Sequence, residues 1–127
     1  AAGDGKPRIV DGDMQTIMAG LACGEPNTIS WDILKNHVKV FISAPDWVAA
    51  KGMRMLSAPI KGDPQVTSGE SGAAPFGALA AMMTMEEYKE LRNDIGLDEN
   101  SKVLLFSTEG DTDPERYKNI VWEGKER

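Results

Sequence analysis

The fold is decided by the stretch Val103-Leu104-Leu105-Phe106-Ser107-Thr108-Glu109-Gly110-Asp111-Thr112-Asp113-Pro114. Its first four residues are apolar, and hydroxyls, carboxylates and one glycine follow them. A short apolar run bounded by turn residues predicts a buried strand. In open α/β sheets, ligands bind beside the carboxyl ends of strands. We therefore expect a functional site in residues 107–113.

The composition fits one globular domain and excludes several classes of partner. The chain has 127 residues, 41% of them hydrophobic, and a net charge of −6. This charge argues against nucleic acid and anionic membranes, which both require a basic surface. No apolar run approaches the roughly 20 residues that span a bilayer. The single cysteine, Cys23, has no partner for an internal disulfide, which fits a reducing cytoplasm.

Helical periodicity along the chain alternates with two short strand-like runs. Met14, Ile17, Met18 and Leu21 have helical spacing and predict an amphipathic helix over residues 14–21. Further helices are predicted to begin at N-cap residues or capping boxes, which lie at Ser30, Ser43, Thr84 and Asp113. Another helix is predicted from the helical spacing of an apolar face formed by Phe76, Leu79, Ala80 and Met83. The strands are predicted at 38–42 and 103–106. We expect one α/β or α+β unit over residues 1–127.

Two small-residue positions allow more than one interpretation. Ser68-Gly69-Glu70-Ser71-Gly72-Ala73 leads into a helix, so its free N–H groups can hold an anion, or its small side chains can permit tight helix contacts. The missing Gly-Lys-Ser ending argues against a nucleoside triphosphate. Gly20 costs about 1 kcal/mol in mid-helix. It marks either helix–sheet contact or the close approach of a flat group.

The acidic turn likewise has two interpretations. Glu109, Asp111, Asp113 and Glu115 alternate along the chain, and carboxylate oxygens suit Mg²⁺ or Ca²⁺. The spacing does not match an EF-hand loop. The alternative is that Asp113 caps the last helix while Glu115 favours its N-terminal dipole. We expect no metal site.

Several stretches together resemble a known enzyme family. Residues 16–26, 68–73 and 107–111 are similar to the "TI…GLA.GEP", "EPSGA" and "SGGN" motifs of fold-type II pyridoxal-phosphate (PLP) enzymes. Three motifs resemble those of the 2,3-diaminopropionate ammonia-lyase family. They are GLACGEP at 20–26, SGESGA at 68–73 and FSTEGDTDP at 106–114. This resemblance covers nearly all of the chain, and the FSTEGDTDP wording is its most specific part.

The resemblance implies an α/β fold, namely part of the large PLP-binding domain of a fold-type II (tryptophan synthase β-like) enzyme, with helices packed on a short sheet. The chain corresponds to the C-terminal portion of that domain. The Schiff-base lysine, the phosphate loop and the catalytic aspartate are expected upstream of Ala1, so no catalytic residue is expected here. The start at Ala1 in turn-forming residues, without an initiator Met, also predicts a fragment that is inactive alone.

The resemblance also implies three cofactor-binding residues. Thr108 takes the place of the SGGN serine, whose hydroxyl faces the pyridine nitrogen of PLP. Gly20 matches a glycine near the cofactor. Glu70 stands in for the glutamate of EPSGA, although aligning Ser71-Gly72-Ala73 places Gly69 on that glutamate.

The implied activity is the α,β-elimination that converts 2,3-diaminopropionate to pyruvate and ammonia. The implied protein is a cytoplasmic homodimer acting on a small amino acid, with neither nucleic acid nor membrane as partner. Two alternatives stay open. One is a threonine or serine dehydratase of the same superfamily, and the other is a non-catalytic binding domain.

Overall fold

The computed structural model describes residues 6–127 of the chain. The α-helices are α1 (Thr28–His37), α2 (Asp46–Ser57), α3 (Glu70–Thr84), α4 (Lys89–Ile95) and α5 (Pro114–Val121), and short 3₁₀ helices lie at Ala19–Leu21 and Glu86–Tyr88. The chain divides into two compact units, the first ending at Ser43 and the second beginning at Ala44. That residues 1–127 are one unit of a PLP-binding domain stays a prediction.

The first unit lacks the helix predicted over residues 14–21. Only the 3₁₀ helix Ala19–Leu21 forms there. Met14 has a φ of 46°, which is incompatible with a right-handed helix. The amide of Val10 donates to the carbonyl of Gly24 over 2.9 Å, so the segment closes as a loop. Met18 of the predicted apolar face is nevertheless buried.

Helix α1 begins earlier than predicted. The side chain of Asn27 caps it by accepting from the amide of Ser30 over 2.9 Å. Asn27 is therefore the N-cap that Ser30 was expected to be. The helix extends to His37 and has no buried residue.

The predicted short sheet is wrong for the part of the chain that the structure describes. Residues 38–42 and 103–106 run without helix or strand, and no strand occurs within residues 6–127. A strand requires a neighbouring strand to complete its hydrogen-bonded ladder, and these two segments have none. Their apolar side chains are accordingly exposed, with Phe41 at 68%, Leu104 at 78% and Phe106 at 72%.

The core of the second unit lies between α2 and α3. Helix α2 contributes Val48, Ala49, Ala50 and Met53, and α3 contributes Ala73, Ala74, Ala80 and Ala81. The two backbones approach closely at glycines. A Cβ atom added at Gly52 would collide with the carbonyl of Ala73, and one at Gly77 would collide with the carbonyl of Val48.

This close approach leaves only Ala80 of the predicted face of α3 buried. The buried residues are the small ones, among them Gly72, Ala73, Gly77 and Ala80. Met83 of the predicted face is exposed, and Phe76 is only half-buried. Hydrophobic periodicity weights large side chains, whereas helices this close can accommodate only small ones between them.

The C-terminus of α4 and the N-terminus of α5 lie where the sequence predicts them. Gly96 closes α4 with a φ of 68°, the left-handed conformation that glycine adopts readily. Asp113 caps α5 by accepting from the amide of Arg116 over 3.0 Å, and Pro114 occupies the first turn. The guanidinium of Arg54 on α2 donates to the carbonyls of Ile120, Lys125 and Glu126, which holds the C-terminal residues against α2. Partial burial, reinforced by Arg127, lowers the pKa of Arg54.

None of the helices among residues 6–127 is both long and apolar enough to traverse a bilayer.

Candidate functional site

The turn at residues 107–110 is held against the start of α3. The amide of Gly69 donates to the carbonyl of Glu109 over 3.0 Å. The Oγ atoms of Ser68 and Ser107 are 2.7 Å apart and share a hydrogen bond. Ser68 is buried and Ser107 is exposed, so the contact is partly buried.

The carboxylate of Glu109 caps α3 from 38 residues along the chain. Its Oε2 atom accepts from the amide of Ser71 over 2.8 Å and from that of Gly72 over 3.3 Å. Gly69 is the N-cap residue and has no side chain to accept these bonds. The first amides of a helix favour an anion, and here the chain supplies it.

Of the two interpretations of the glycine-rich helix start, the structure shows the capped helix that packs tightly through small residues. An anion is bound there, and it is Glu109. The small residues are also needed for contact. A Cβ at Gly69 would lie 2.5 Å from the carbonyl oxygen of Gly110, and a Cβ at Gly72 would lie 2.7 Å from Oγ of Ser68.

Thr108 lies between these two anchored neighbours and is itself exposed. Within the described residues its hydroxyl makes no hydrogen bond, whereas the side chains of Ser107 and Glu109 both reach α3. A hydroxyl can donate one hydrogen bond and accept others. The side chain therefore fits a partner outside this chain's own polar groups, and the pyridine nitrogen of PLP is such an acceptor.

Glu70 is the first residue of α3 and is 8% exposed. Its Oε1 atom is buried without a hydrogen-bond partner in the described residues, and so is the hydroxyl of Ser71. The nearest cation in the described structure is Arg116, whose Nε lies 3.9 Å from Glu70 Oε1. Buried polar atoms nearly always have a hydrogen-bond partner. Here Oε1 of Glu70 has only the long ion pair with Arg116, and Oγ of Ser71 has no hydrogen bond within the described residues.

Two of the three predicted cofactor residues lie in neighbouring segments of the second unit, and their contact with PLP stays a prediction. Thr108 and Glu70 both belong to the junction of the 107–110 turn with α3. Gly20 belongs to the first unit, in the 3₁₀ helix Ala19–Leu21, where it is exposed. Its carbonyl accepts from the thiol of Cys23, at 3.9 Å.

Sequence reasoning did not find the role of Glu109. The available signal was a glycine N-cap without a polar side chain, opposite a turn rich in carboxylates. Asp113 caps α5 as expected. No group of three or more potential metal-ligating side chains forms in residues 6–127.

Comparison with known proteins identifies similar sequences. The chain is 54% identical over 123 residues to the diaminopropionate ammonia-lyase of Salmonella typhimurium, which covers 96% of the chain and 30% of that protein. It is 53% identical over 116 residues to the enzyme of Escherichia coli K12, covering 91% of the chain and 29% of that protein. No protein-family model matches the chain. The chain thus spans about 30% of the length of these curated relatives.

Solved structures show the same likeness. The E. coli diaminopropionate ammonia-lyase in complex with an aminoacrylate-PLP azomethine reaction intermediate superposes with a TM-score of 0.83 and 51% identity, over 87% of this chain and 29% of that one. The same enzyme in complex with D-serine gives a TM-score of 0.80 and 50% identity, over 84% and 27%. The resemblance to 2,3-diaminopropionate ammonia-lyases that the motifs indicated is confirmed over nearly the whole chain.

Proposed function

We propose that this chain is part of a PLP-dependent ammonia-lyase that converts 2,3-diaminopropionate to pyruvate and ammonia. The observation that carries the proposal is the 51% identity, at a TM-score of 0.83, to an E. coli enzyme holding a PLP reaction intermediate. The exposed, unengaged hydroxyl of Thr108 supports it, since that position corresponds to the residue that faces the cofactor ring.

PLP, when bound, supplies the electron sink that stabilises negative charge at the substrate's α-carbon. Thr108 would hold the pyridine nitrogen of the bound cofactor by donating a hydrogen bond to it from its hydroxyl group. A hydroxyl is too weak an acid to protonate that nitrogen, whereas a carboxylate partner would hold it protonated. The weaker electron withdrawal that results favours elimination over transamination.

Glu70 and Gly20 complete this chain's contribution. The buried carboxylate of Glu70 has one oxygen without a hydrogen bond in the described residues, and this oxygen would accept a hydrogen bond from water ordered beside the cofactor ring. Gly20 lacks a side chain, so its backbone permits close approach of a flat ring. The Schiff-base lysine, the phosphate loop and the proton-abstracting groups belong to other parts of the complete protein, and residues 1–127 alone are inactive.

The test compares substrates on the protein expressed from its complete coding sequence. We expect pyruvate release from 2,3-diaminopropionate with a kcat/KM at least about tenfold above that for threonine, a difference of 1.4 kcal/mol in transition-state binding. Expression of residues 1–127 alone provides the matched control and should give no pyruvate. A preference for threonine would identify a dehydratase instead, and no turnover of either substrate would favour a non-catalytic binding domain.

We also propose that the complete protein is a cytoplasmic homodimer. The exposed apolar side chains of Leu104 and Phe106 support further burial against protein. Within residues 1–127, Cys23 has no partner for an internal disulfide, which is compatible with a reducing compartment. Light scattering of the purified protein and fractionation of the cells that express it test these two statements, and a monomer or a membrane-bound protein would contradict them.

A further inference from the structure

We propose that Glu109 is a positioning residue that fixes the Thr108 hydroxyl for its contact with the cofactor's pyridine nitrogen. The inference rests on the proposed function, because it assumes that Thr108 contacts PLP. It concerns a residue that the motif resemblance does not assign, since the corresponding SGGN motif has glycine after its serine.

The first support is the number of bonds through which one residue joins the turn to α3. The Glu109 carbonyl accepts from Gly69, and its carboxylate accepts from both Ser71 and Gly72. Three hydrogen bonds therefore connect the residue next to Thr108 with three amides of a single helix start. Attachment through both the backbone carbonyl and the side-chain carboxylate restricts the orientation of Glu109 as well as its distance from α3.

The second support is the alternation of side chains along the turn. Ser107 and Glu109 both direct their side chains to α3, and Thr108 between them is exposed. Anchoring both neighbours limits rotation of the backbone at Thr108 and so restricts the directions that its exposed side chain can take. Without an anchor, rotation about the 107–110 backbone would place the hydroxyl in many directions.

The third support is that α3 is shaped to receive this residue. A Cβ at Gly69 would lie 2.7 Å from Cγ of Glu109, so only glycine permits the observed contact there. Glu109 is half-buried, and a carboxylate at a helix N-terminus is favoured by the helix dipole. Removing the carboxylate leaves the Ser71 and Gly72 amides without their acceptor, and the turn is then held by the Ser68–Ser107 bond and the backbone bond between Gly69 and Glu109.

The experiment measures PLP binding to the apo form of the complete protein by equilibrium dialysis, together with the absorption spectrum of the bound cofactor. We expect Glu109→Ala to raise the PLP Kd about tenfold or more, the factor that corresponds to 1.4 kcal/mol. We expect Glu109→Gln, which keeps one acceptor oxygen, to restore most of that affinity. Glu115→Ala removes an exposed carboxylate on α5 and should leave the Kd unchanged.

A double-mutant cycle separates positioning from general destabilisation. If Glu109 acts through Thr108, adding Glu109→Ala to Thr108→Val should change the PLP Kd and the spectrum no further. Additive effects would overturn the positioning role, because independent sites add. If Glu109→Ala fails to fold by circular dichroism, Glu109→Asp replaces it, since the shorter side chain keeps the charge but cannot span the same distance.

The two proposals fail in different ways. A Thr108→Val protein with an unchanged PLP Kd and an unchanged spectrum of bound PLP would contradict the assignment of Thr108 as the contact of the ring nitrogen. A Thr108→Val protein that is impaired, beside a Glu109→Ala protein that binds PLP like the wild type, would overturn only the inference about Glu109.

Discussion

Ser68 and Ser107 share a hydrogen bond of 2.7 Å between their Oγ atoms, although 39 residues separate them in the chain. Ser68 is buried at the residue before the N-cap of α3, and Ser107 directly follows the apolar run 103–106. The pair thus joins the two motifs, at 68–73 and 107–111, that first suggested a PLP site. Thr108 therefore follows a residue that is anchored by a hydrogen bond.

This pair predicts an asymmetric mutational pattern. Ser107→Ala leaves the buried Ser68 hydroxyl with only a 3.3 Å contact to the carbonyl of Gly69. We expect a loss of about 1–2 kcal/mol in the free energy of unfolding, the cost of leaving a buried polar group poorly paired. The double variant Ser68→Ala/Ser107→Ala removes both partners and should recover most of that loss. Urea unfolding of both variants checks this, and equal losses in the two would argue against the hydrogen bond as the cause.

Thr108→Val tests the cofactor contact itself. Valine has nearly the shape of threonine but cannot donate a hydrogen bond, so the change removes the hydroxyl alone. In the complete protein we expect an altered absorption spectrum of bound PLP and a kcat/KM reduced about tenfold or more, an ordinary effect for loss of one hydrogen bond to a reacting group. Thr108→Ser keeps the hydroxyl and serves as the matched control. An unchanged spectrum and kcat/KM for Thr108→Val would count against the assignment.

Gly77→Ala tests the close contact between α2 and α3. The added methyl group would collide with the carbonyl of Val48, so the two helices must separate. We expect the free energy of unfolding to fall by about 1–3 kcal/mol, the usual cost of overpacking, despite alanine's higher helix propensity. Gly110→Ala adds the same group where nothing lies within 4 Å and should change stability by less than about 0.5 kcal/mol. A Gly77→Ala protein at least as stable as the wild type would contradict the contact.

The sequence predicted the elements whose signals are local. Asp113 and Pro114 define the start of α5 within one turn of chain, and Gly96 defines the end of α4. Short-range chemistry was sufficient for these two helix ends. The assignment of Thr108 and Glu70 to the cofactor rests on motif resemblance and stays a prediction.

The failures concern features that depend on distant residues. Residues 103–106 have a strand's composition, yet a strand exists only when another pairs with it, and none does so within residues 6–127. The buried face of α3 was misassigned because Gly77 contacts a helix that periodicity does not consider. Glu109 was missed as a helix cap because it lies 38 residues from Ser71, beyond any local capping pattern.

We expect Glu70 to lower the stability of the apo protein and to raise its affinity for PLP. The Glu70 side chain is 10% exposed, one carboxylate oxygen has no hydrogen bond in the described structure, and the Arg116 guanidinium stands 3.9 Å away. Burying a carboxylate with incomplete pairing is costly. We therefore expect Glu70→Gln to leave the apo protein as stable as the wild type or more stable, while its affinity for PLP falls. Such a trade-off is typical of residues retained for binding.

A cycle with Arg116→Met completes this test. Arg116 is about half exposed, so solvent screens its pairing, and we expect its loss to cost about 1 kcal/mol in the wild-type background. Arg116 also lies 3.8 Å from an oxygen of Asp113, and that contribution is common to both backgrounds. The cost should therefore shrink, without vanishing, when Glu70→Gln is already present. Thermal unfolding of the four apo proteins measures the coupling, and PLP dialysis measures the affinity. If Glu70→Gln were both less stable and unchanged in PLP affinity, Glu70 would be a structural partner of Arg116 and not a cofactor residue.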